Sequence, residues 1–174
     1  MSTIPICVSL ALAAALGSLV ACSGTPLSGP PPLRLGRDEC KECGMLINED
    51  RCSAGMLAEQ SGRREHLLFD DIGCMLDAER EGLDEYTIVD RYVHDHGTRE
   101  WVSAATATFL FVESGELSTP MGSGTVAFAQ RKDAEAASQR YGGELLDYSA
   151  LTERRKSWMQ DRYGRPAGQA RPPT

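Results

Sequence analysis

Apolar and polar residues alternate over several short stretches of the chain, and this pattern predicts β-strands. We expect strands at residues 52–59, 66–69, 86–94, 100–103, 109–112, 125–129 and 145–146. Between them, apolar residues recur at the spacing of α-helices. We expect helices at residues 72–81, 104–108, 131–141 and 148–160. Strands with helices between them predict an α+β domain with mainly antiparallel pairing.

Turn-forming and capping residues mark the ends of these elements. The Ser-Gly pair at 61–62 predicts a tight turn between the first two strands. Asp70 or Asp71 is expected to cap the first helix, because its first backbone N–H groups have no partner within the helix. A strand ending on phenylalanine leads into an acidic helix twice, at 69–78 and 128–136. This echo is slight evidence for an internal duplication.

The N-terminus resembles the leader of a bacterial lipoprotein. Residues 4–20 are almost wholly apolar and small, and such a core running into a small-residue cleavage site is typical of a signal peptide. Leu19-Val20-Ala21 before Cys22 resembles the bacterial lipobox. We therefore expect a signal peptide at residues 1–21 and a lipid on Cys22, anchoring the protein at the periplasmic face of a cell membrane. No Lys or Arg precedes the apolar core, so an uncleaved N-terminal anchor is the alternative.

Composition divides the rest of the chain into one domain and two flexible ends. Residues 22–36 are rich in Pro, Gly and Ser, which predicts a disordered tether. A disordered tail is expected at 161–174, which is rich in Pro and Arg. The domain between them, residues 37–160, is long enough for a real core. The formal net charge of −7 disfavours a nucleic-acid partner, because phosphates require a basic surface.

Four cysteines fall within the predicted domain, namely Cys40, Cys43, Cys52 and Cys74. Outside the cytoplasm four thiols ordinarily form two disulfides, and a Cys40–Cys43 bridge is one interpretation. A bound metal ion is the other way to hold thiols in that environment. Thiolate and thioether sulfur are soft donors, which favour Cu(I) over harder ions.

The motif Cys43-Gly44-Met45 brings two sulfur donors close together. Residues i and i+2 of a strand share one face, and the glycine lets the backbone turn, so both sulfurs could reach one ion. Such a pair leaves Cu(I) open to a further donor. Met121 is a candidate because it lies in a loop between a proline and a glycine. A methionine that fills a gap in the core is the alternative.

The start of the first helix offers further ligands. Once one aspartate is occupied in capping, the other and Cys74 could face a metal site, and we take Asp70 and Cys74 as candidates. Met75 follows on the apolar face of this helix and is expected in the core. The two histidines beside the predicted hairpin turn at 95–97 are expected to be solvated, and the third is equally a surface or a site residue. These three residues are His94, His96 and His66.

Together these features resemble the NosL family. They are the Cys22 leader, the motif Cys40-x-x-Cys43-Gly44-Met45, residues 69–76, Trp101, residues 119–124 and Ala127-Phe128. The resemblance implies an α+β fold related to the organomercurial lyase MerB. It also implies a Cu(I)-binding lipoprotein that hands copper to a membrane-bound maturation complex, and through it to nitrous oxide reductase. By the same resemblance Cys43 and Met45 would be copper ligands, with Met121 a third and Cys40 a further thiol.

A periplasmic Cu(I) chaperone, not an enzyme, is therefore the function that the sequence predicts. A thiol–disulfide oxidoreductase using Cys40 and Cys43 is the first alternative. Such enzymes usually place the motif at a helix N-terminus, whereas here it follows the predicted tether. A structural lipoprotein with an ordinary disulfide is the second alternative. Carbon–mercury cleavage by Cys43, Cys74 and Asp70 is the third.

Overall fold

The computed structural model describes residues 26–113 and 115–164. The predicted signal peptide, Cys22 and the chain after residue 164 lie outside these residues. None of the helices in the described part of the chain is long and apolar enough to cross a membrane.

Seven strands and three helices make up the described chain. The strands are β1 (Ala54–Gln60), β2 (Arg63–Phe69), β3 (Thr87–His94), β4 (Trp101–Ser103), β5 (Thr108–Phe111), β6 (Thr125–Phe128) and β7 (Glu144–Leu146). The helices are α1 (Ile72–Glu81), α2 (Arg131–Tyr141) and α3 (Tyr148–Tyr163). All strand pairs are antiparallel, so the predicted α+β class is confirmed.

The strands form two sheets with the same local topology. The first sheet has the order β2-β1-β3-β4 and the second has the order β6-β5-β7. In each sheet a hairpin leads into a helix, and the strand after the helix returns to pair with the first strand of the hairpin. The two ββαβ units therefore match the echo seen in the sequence. In each unit a phenylalanine ends the second strand of the hairpin, namely Phe69 and Phe128.

Two hydrogen bonds join the units. His96 donates its backbone N–H to the carbonyl of Ala127 in β6, at 2.8 Å. The carboxylate of Asp95 accepts the backbone N–H of Ala129 at 2.7 Å, and its other oxygen accepts from Gly97 and Thr98 in its own turn. This turn after β3 is thus fixed by the chain that continues from β6.

The hairpin between β1 and β2 follows directly from its turn residues. Ser61 and Gly62 both have positive φ, at 51° and 76°. Two such residues form the kind of turn whose twist suits a two-residue hairpin connection. The pairing that results sets Ala54 opposite Phe69 and places both in the main core.

Two helix predictions need correction. Residues 104–108 do not form a helix, since they make a turn with hydrogen bonds from Thr106 and Ala107 back to Ser103, and Thr108 begins β5. The first turn of a helix is unfavourable in free energy and is compensated only when further residues extend it, and this connection is too short for that. The last helix continues past the expected end near residue 160 to Tyr163, where Gly164 in the left-handed region ends it. Residues 161–163 are therefore helical rather than part of the predicted tail.

The prediction of a disordered tether is wrong for residues 26–36. Pro31 is buried, and its ring lies where a side chain on Gly55 of β1 would be, 2.4 Å from an ideal Cβ position. His66 of β2 contacts the carbonyl of Gly29 at 2.9 Å, and Leu33 packs against the main core. Proline rings bury apolar surface at little cost in entropy, because their backbone is already restricted. The chain is thus held on the sheet before it reaches the cysteine motif.

Candidate metal centre

The cysteine motif lies in a tight loop that is fixed to the first sheet. Cys40 donates its backbone N–H to the carbonyl of Met45 at 2.8 Å, and Gly44 donates to the carbonyl of Cys40 at 2.9 Å. Gly44 has a φ of +73°, which a residue with a side chain rarely adopts. Lys41 donates to the carbonyl of Leu68 in β2 at 2.8 Å. The loop is thereby held beside the end of β2, where the aspartate pair follows.

The junction between β2 and α1 supplies the other half of the site. Asp71 is the N-cap of α1, and one of its carboxylate oxygens accepts the backbone N–H of Gly73 at 2.7 Å. Asp70 is buried and is left free of this capping role. Cys74 lies in the first turn of α1 and is also buried. Capping therefore occupies Asp71, as expected for one of the two aspartates, and Asp70 as a metal ligand stays a prediction.

Four side chains converge at this junction. The ligand atoms of Cys40, Cys43, Cys74 and Asp70 all lie within 4.8 Å of one another. The Cys43 thiol is 3.7 Å from an oxygen of Asp70. Cys40 and Cys74 are buried while Cys43 is half-buried, and no cysteine in the described chain forms a disulfide. Three thiols and a carboxylate at this spacing could hold one metal ion.

The three thiols differ in acidity because they interact with one another. A hydrogen bond from the thiol of Cys74 favours the Cys40 thiolate and lowers the pKa of Cys40 to about 7. Burial, followed by its neighbours Cys40 and Asp70, raises the pKa of Cys43 to about 11. The pKa of Cys74 is also raised, first because its thiol donates to Cys40 and then because it is buried. Cys40 is thus the first of the three to lose its proton as the pH rises, while Cys43 and Cys74 stay thiols.

Met121 reaches the same region from the second ββαβ unit. Its backbone N–H donates to the second oxygen of the Asp71 carboxylate at 3.0 Å. The loop is also closed by a bond from the Gly124 backbone N–H to the Thr119 hydroxyl at 3.2 Å. Met121 lines a cavity of about 240 Å³ that Cys43 and Cys74 also line. Sulfur-containing residues from two distant stretches of the chain therefore line one cavity.

Met45 is differently placed from the other predicted ligands. Its side chain is 53% exposed, although its backbone closes the cysteine loop. Cys43 lies 3.7 Å from an oxygen of Asp70 and belongs to the thiol cluster, while the pairing of Cys43 and Met45 as ligands stays a prediction. Met75 is fully buried in the core, as predicted.

The histidines of the described chain have structural contacts. His94 is buried, with its Nδ1 2.7 Å from the Ser53 hydroxyl and its ring 3.6 Å from that of Trp101, so the expectation that it is solvated is wrong. His66 holds the N-terminal segment, as described above, and His96 packs on Phe128 with ring centroids 5.7 Å apart. None of the three belongs to the thiol cluster.

One wall of the cavity was not predicted. It comes from α3, which contributes Arg155, Trp158, Met159 and Tyr163. Arg155 is buried and makes two hydrogen bonds to Asp77 of α1, at 3.2 and 2.8 Å. The spacing of four residues from Arg155 to Met159 to Tyr163 does indicate one helix face in the sequence. That spacing cannot indicate which surface the face covers.

An antiparallel α+β domain with a thiol-rich cluster at a strand–helix junction defines a class of candidate metal-binding proteins. Within this class, the family model described as NosL matches residues 34–155. These residues include both sheets and every member of the cluster. The chain belongs to the NosL family.

Two relatives illustrate this membership. The copper-binding lipoprotein NosL of Stutzerimonas stutzeri is 28% identical over 124 residues, which are 67% of this chain and 63% of the relative. The match thus spans somewhat less than two thirds of that relative's length. The crystal structure of the copper chaperone NosL from Shewanella denitrificans matches with a TM-score of 0.55 and 27% identity, covering 69% of this chain and 96% of that one. The relation to MerB stays a prediction.

We expect the Asp71→Ala variant to have a free energy of unfolding lower by about 2–4 kcal/mol. The variant lacks the buried carboxylate that caps α1 and accepts the backbone N–H of Met121. Asp147→Ala is the matched control, since Asp147 caps α3 through Ala150 and is exposed. Its expected loss is about 1 kcal/mol. Equal losses in the two variants, measured by denaturant unfolding, would contradict a bridging role for Asp71.

The reduced, metal-free protein should gain thiolate absorbance in the ultraviolet in a step centred near pH 7, as Cys40 with its pKa of about 7 loses its proton. Below that pH Cys40 is a neutral thiol and above it a thiolate. Cys74→Ala removes the donor that stabilises this thiolate, so it should move the step to higher pH. Cys52→Ala, outside the cluster, should leave the step in place. A step that does not respond to Cys74→Ala would show that the two thiols are not paired.

Proposed function

We propose that this chain is a Cu(I) carrier tethered to the membrane, not an enzyme, and that it supplies copper for the maturation of nitrous oxide reductase. The observation that carries the proposal is the convergence of Cys40, Cys43, Cys74 and Asp70 within 4.8 Å. Relatives named as a copper-binding lipoprotein and a copper chaperone support the choice of copper.

The donor set favours Cu(I) over the commoner divalent ions. Three cysteines and a carboxylate alone would also suit tetrahedral Zn²⁺. Met121 alters this balance because it brings a thioether to the same cavity, and thioethers are soft donors that select Cu(I). Binding should release protons, since Cys43 and Cys74 are thiols at neutral pH and metals take thiolates.

The exposure of the donors suits a carrier rather than a permanent metal site. Cys40 and Cys74 are buried at the base of the site, whereas Cys43 is half-buried and Met121 is 41% exposed. A partner's sulfur or imidazole could therefore approach from the Met121 side and replace the ligands one by one. A site that is enclosed on all sides would hold the ion without such a route.

The geometry disfavours a thiol–disulfide oxidoreductase. Cys40 and Cys43 lie in a loop that is closed by backbone hydrogen bonds, and no helix begins at either cysteine. A third thiol and a carboxylate within the same cluster are better explained by ion binding.

The location and the partners extend the proposal beyond the domain itself. A lipid on Cys22 would hold the protein at the periplasmic face of the membrane, in keeping with the relative named as a lipoprotein. We propose that copper passes to a membrane-bound maturation complex and then to nitrous oxide reductase. This choice of recipients rests on the resemblance of the sequence to its family.

Cys43→Ser and Cys74→Ser should each weaken Cu(I) binding by about 100-fold, because the loss of even an outer supporting group weakens metal sites by about 10–100-fold. Affinity is measured by competition with a chromophoric Cu(I) chelator under reductant. Cys52→Ser is the matched control and should bind as the parent protein does, since Cys52 is a buried thiol outside the cluster. Unchanged Cu(I) affinity in both Cys43→Ser and Cys74→Ser would contradict the proposed carrier.

The full-length protein should be found by mass spectrometry as a processed chain that begins at Cys22 and carries a lipid, and Cys22→Ser should be found without lipid and with its signal peptide uncleaved. The reason is that the lipid would be attached to the Cys22 thiol before cleavage. Cys7→Ser tests for any general effect of losing a cysteine near the N-terminus. A parent protein that keeps residues 1–21 and carries no lipid would instead favour an uncleaved apolar anchor.

A further inference from the structure

One row of side chains on α3 forms a wall of the site cavity. Arg155, Met159 and Tyr163 follow one another at intervals of four residues, which places them on one face of the helix. All three line the cavity together with Cys43, Cys74 and Met121. The family match ends at Arg155, so Met159 and Tyr163 belong to the part of the helix beyond it.

The other members of this wall are engaged elsewhere. The guanidinium of Arg155 is paired with Asp77 through two hydrogen bonds. The ring of Trp158 contacts two guanidinium groups, with that of Arg155 at 4.6 Å and that of Arg162 at 5.1 Å from its centroid. Its π-surface is thus already used by cations. Among the α3 residues that line the cavity, Met159 is the one with a soft donor atom in its side chain.

Met159 is half-buried and packs partly against the main core. Filling a gap in the core accounts for that part of the side chain. It does not account for the place of Met159 in the lining of a cavity that Met121, a second methionine that is 41% exposed, also lines. The backbone of Met121 is fixed by Asp71, so the two methionines come from rigidly held segments.

We propose that Met121 and Met159 form a thioether subsite on the open side of the cavity, where Cu(I) is held on its way to and from the three thiols. This inference rests on the proposed function. Thioethers carry no proton and no charge, so copper can bind there without an acid–base step. Copper stays monovalent throughout.

The transfer itself is a ligand exchange. On entry, bonds from Cu(I) to the thioethers break as bonds to thiolates form, and each thiol that becomes a ligand gives its proton to water. On exit, the thiolates take up protons as the thioether bonds form again. Cys43, the half-buried thiol that lines the same cavity, is the ligand best placed to take part in both arrangements.

The direct test follows the methionine methyl groups by NMR in the reduced full domain while Cu(I) is added, with isotope-labelled methionines assigned through single Met→Leu variants. The methyl resonances of Met121 and Met159 should both shift. Those of Met56 and Met75, which are fully buried in the core and do not line the cavity, should stay. A protein that binds Cu(I) while the Met159 resonance stays in place would overturn the subsite and leave the carrier intact. Failure to bind Cu(I) at all would overturn both.

A kinetic test uses Met159→Leu, with Met56→Leu as the matched control, because Leu replaces Met in packed positions at small cost. Transfer of Cu(I) to a chromophoric chelator should slow by roughly tenfold in Met159→Leu, as expected for the loss of a group that supports a metal site. Transfer should be unchanged in Met56→Leu. Equal transfer rates in the two variants would overturn the subsite, and their thermal unfolding shows whether both are folded.

Discussion

The candidate site depends on the two oxygens of one buried carboxylate. Asp71 accepts the backbone N–H of Gly73 with one oxygen and that of Met121 with the other. The first bond begins α1 and so places Cys74, while the second holds the loop of the other ββαβ unit against that helix. Charge-assisted bonds of this kind are stronger and more directional than neutral ones. One aspartate therefore sets the spacing between the sulfurs of two units that are far apart in sequence.

The thiols themselves are brought together by backbone bonds rather than by side-chain attraction. Lys41 ties the cysteine loop to β2, and Pro31 occupies the space over Gly55 that a larger residue would fill. The bond from Cys74 to Cys40 lowers the pKa of Cys40 and raises that of Cys74, and burial raises the pKa of Cys43. Repulsion from the charges of Cys40 and Asp70 adds to both rises. A bound cation would relieve this repulsion. The metal-free cluster is thus already arranged for an ion.

Much of this architecture could be predicted from local patterns. The Ser-Gly turn, the aspartate cap and the alternating strands each depend on a few adjacent residues, and all were located correctly. Cys40, Cys43, Cys74 and Asp70 could be named because sulfur-rich motifs are unusual enough to be noticed. The helix predicted at residues 104–108 does not form. Helix propensity is a poor guide for so short a connection between two strands.

Other features depend on contacts that no local pattern contains. Composition predicted a disordered tether. Pro31 is instead packed on Gly55, and composition cannot predict this contact because it depends on the folded first sheet. The face of α3 was visible as a spacing of four residues, whereas its position over the thiols is set by the ion pair between Arg155 and Asp77. We propose that sulfur from the Cys40–Cys43 loop and from α1 binds one copper ion. This binding is best examined by X-ray absorption at the copper edge of the reduced, Cu(I)-loaded protein. We expect a sulfur-dominated coordination shell that loses sulfur in Cys43→Ser and Cys74→Ser, whereas a shell dominated by nitrogen or oxygen would rule out the proposed site.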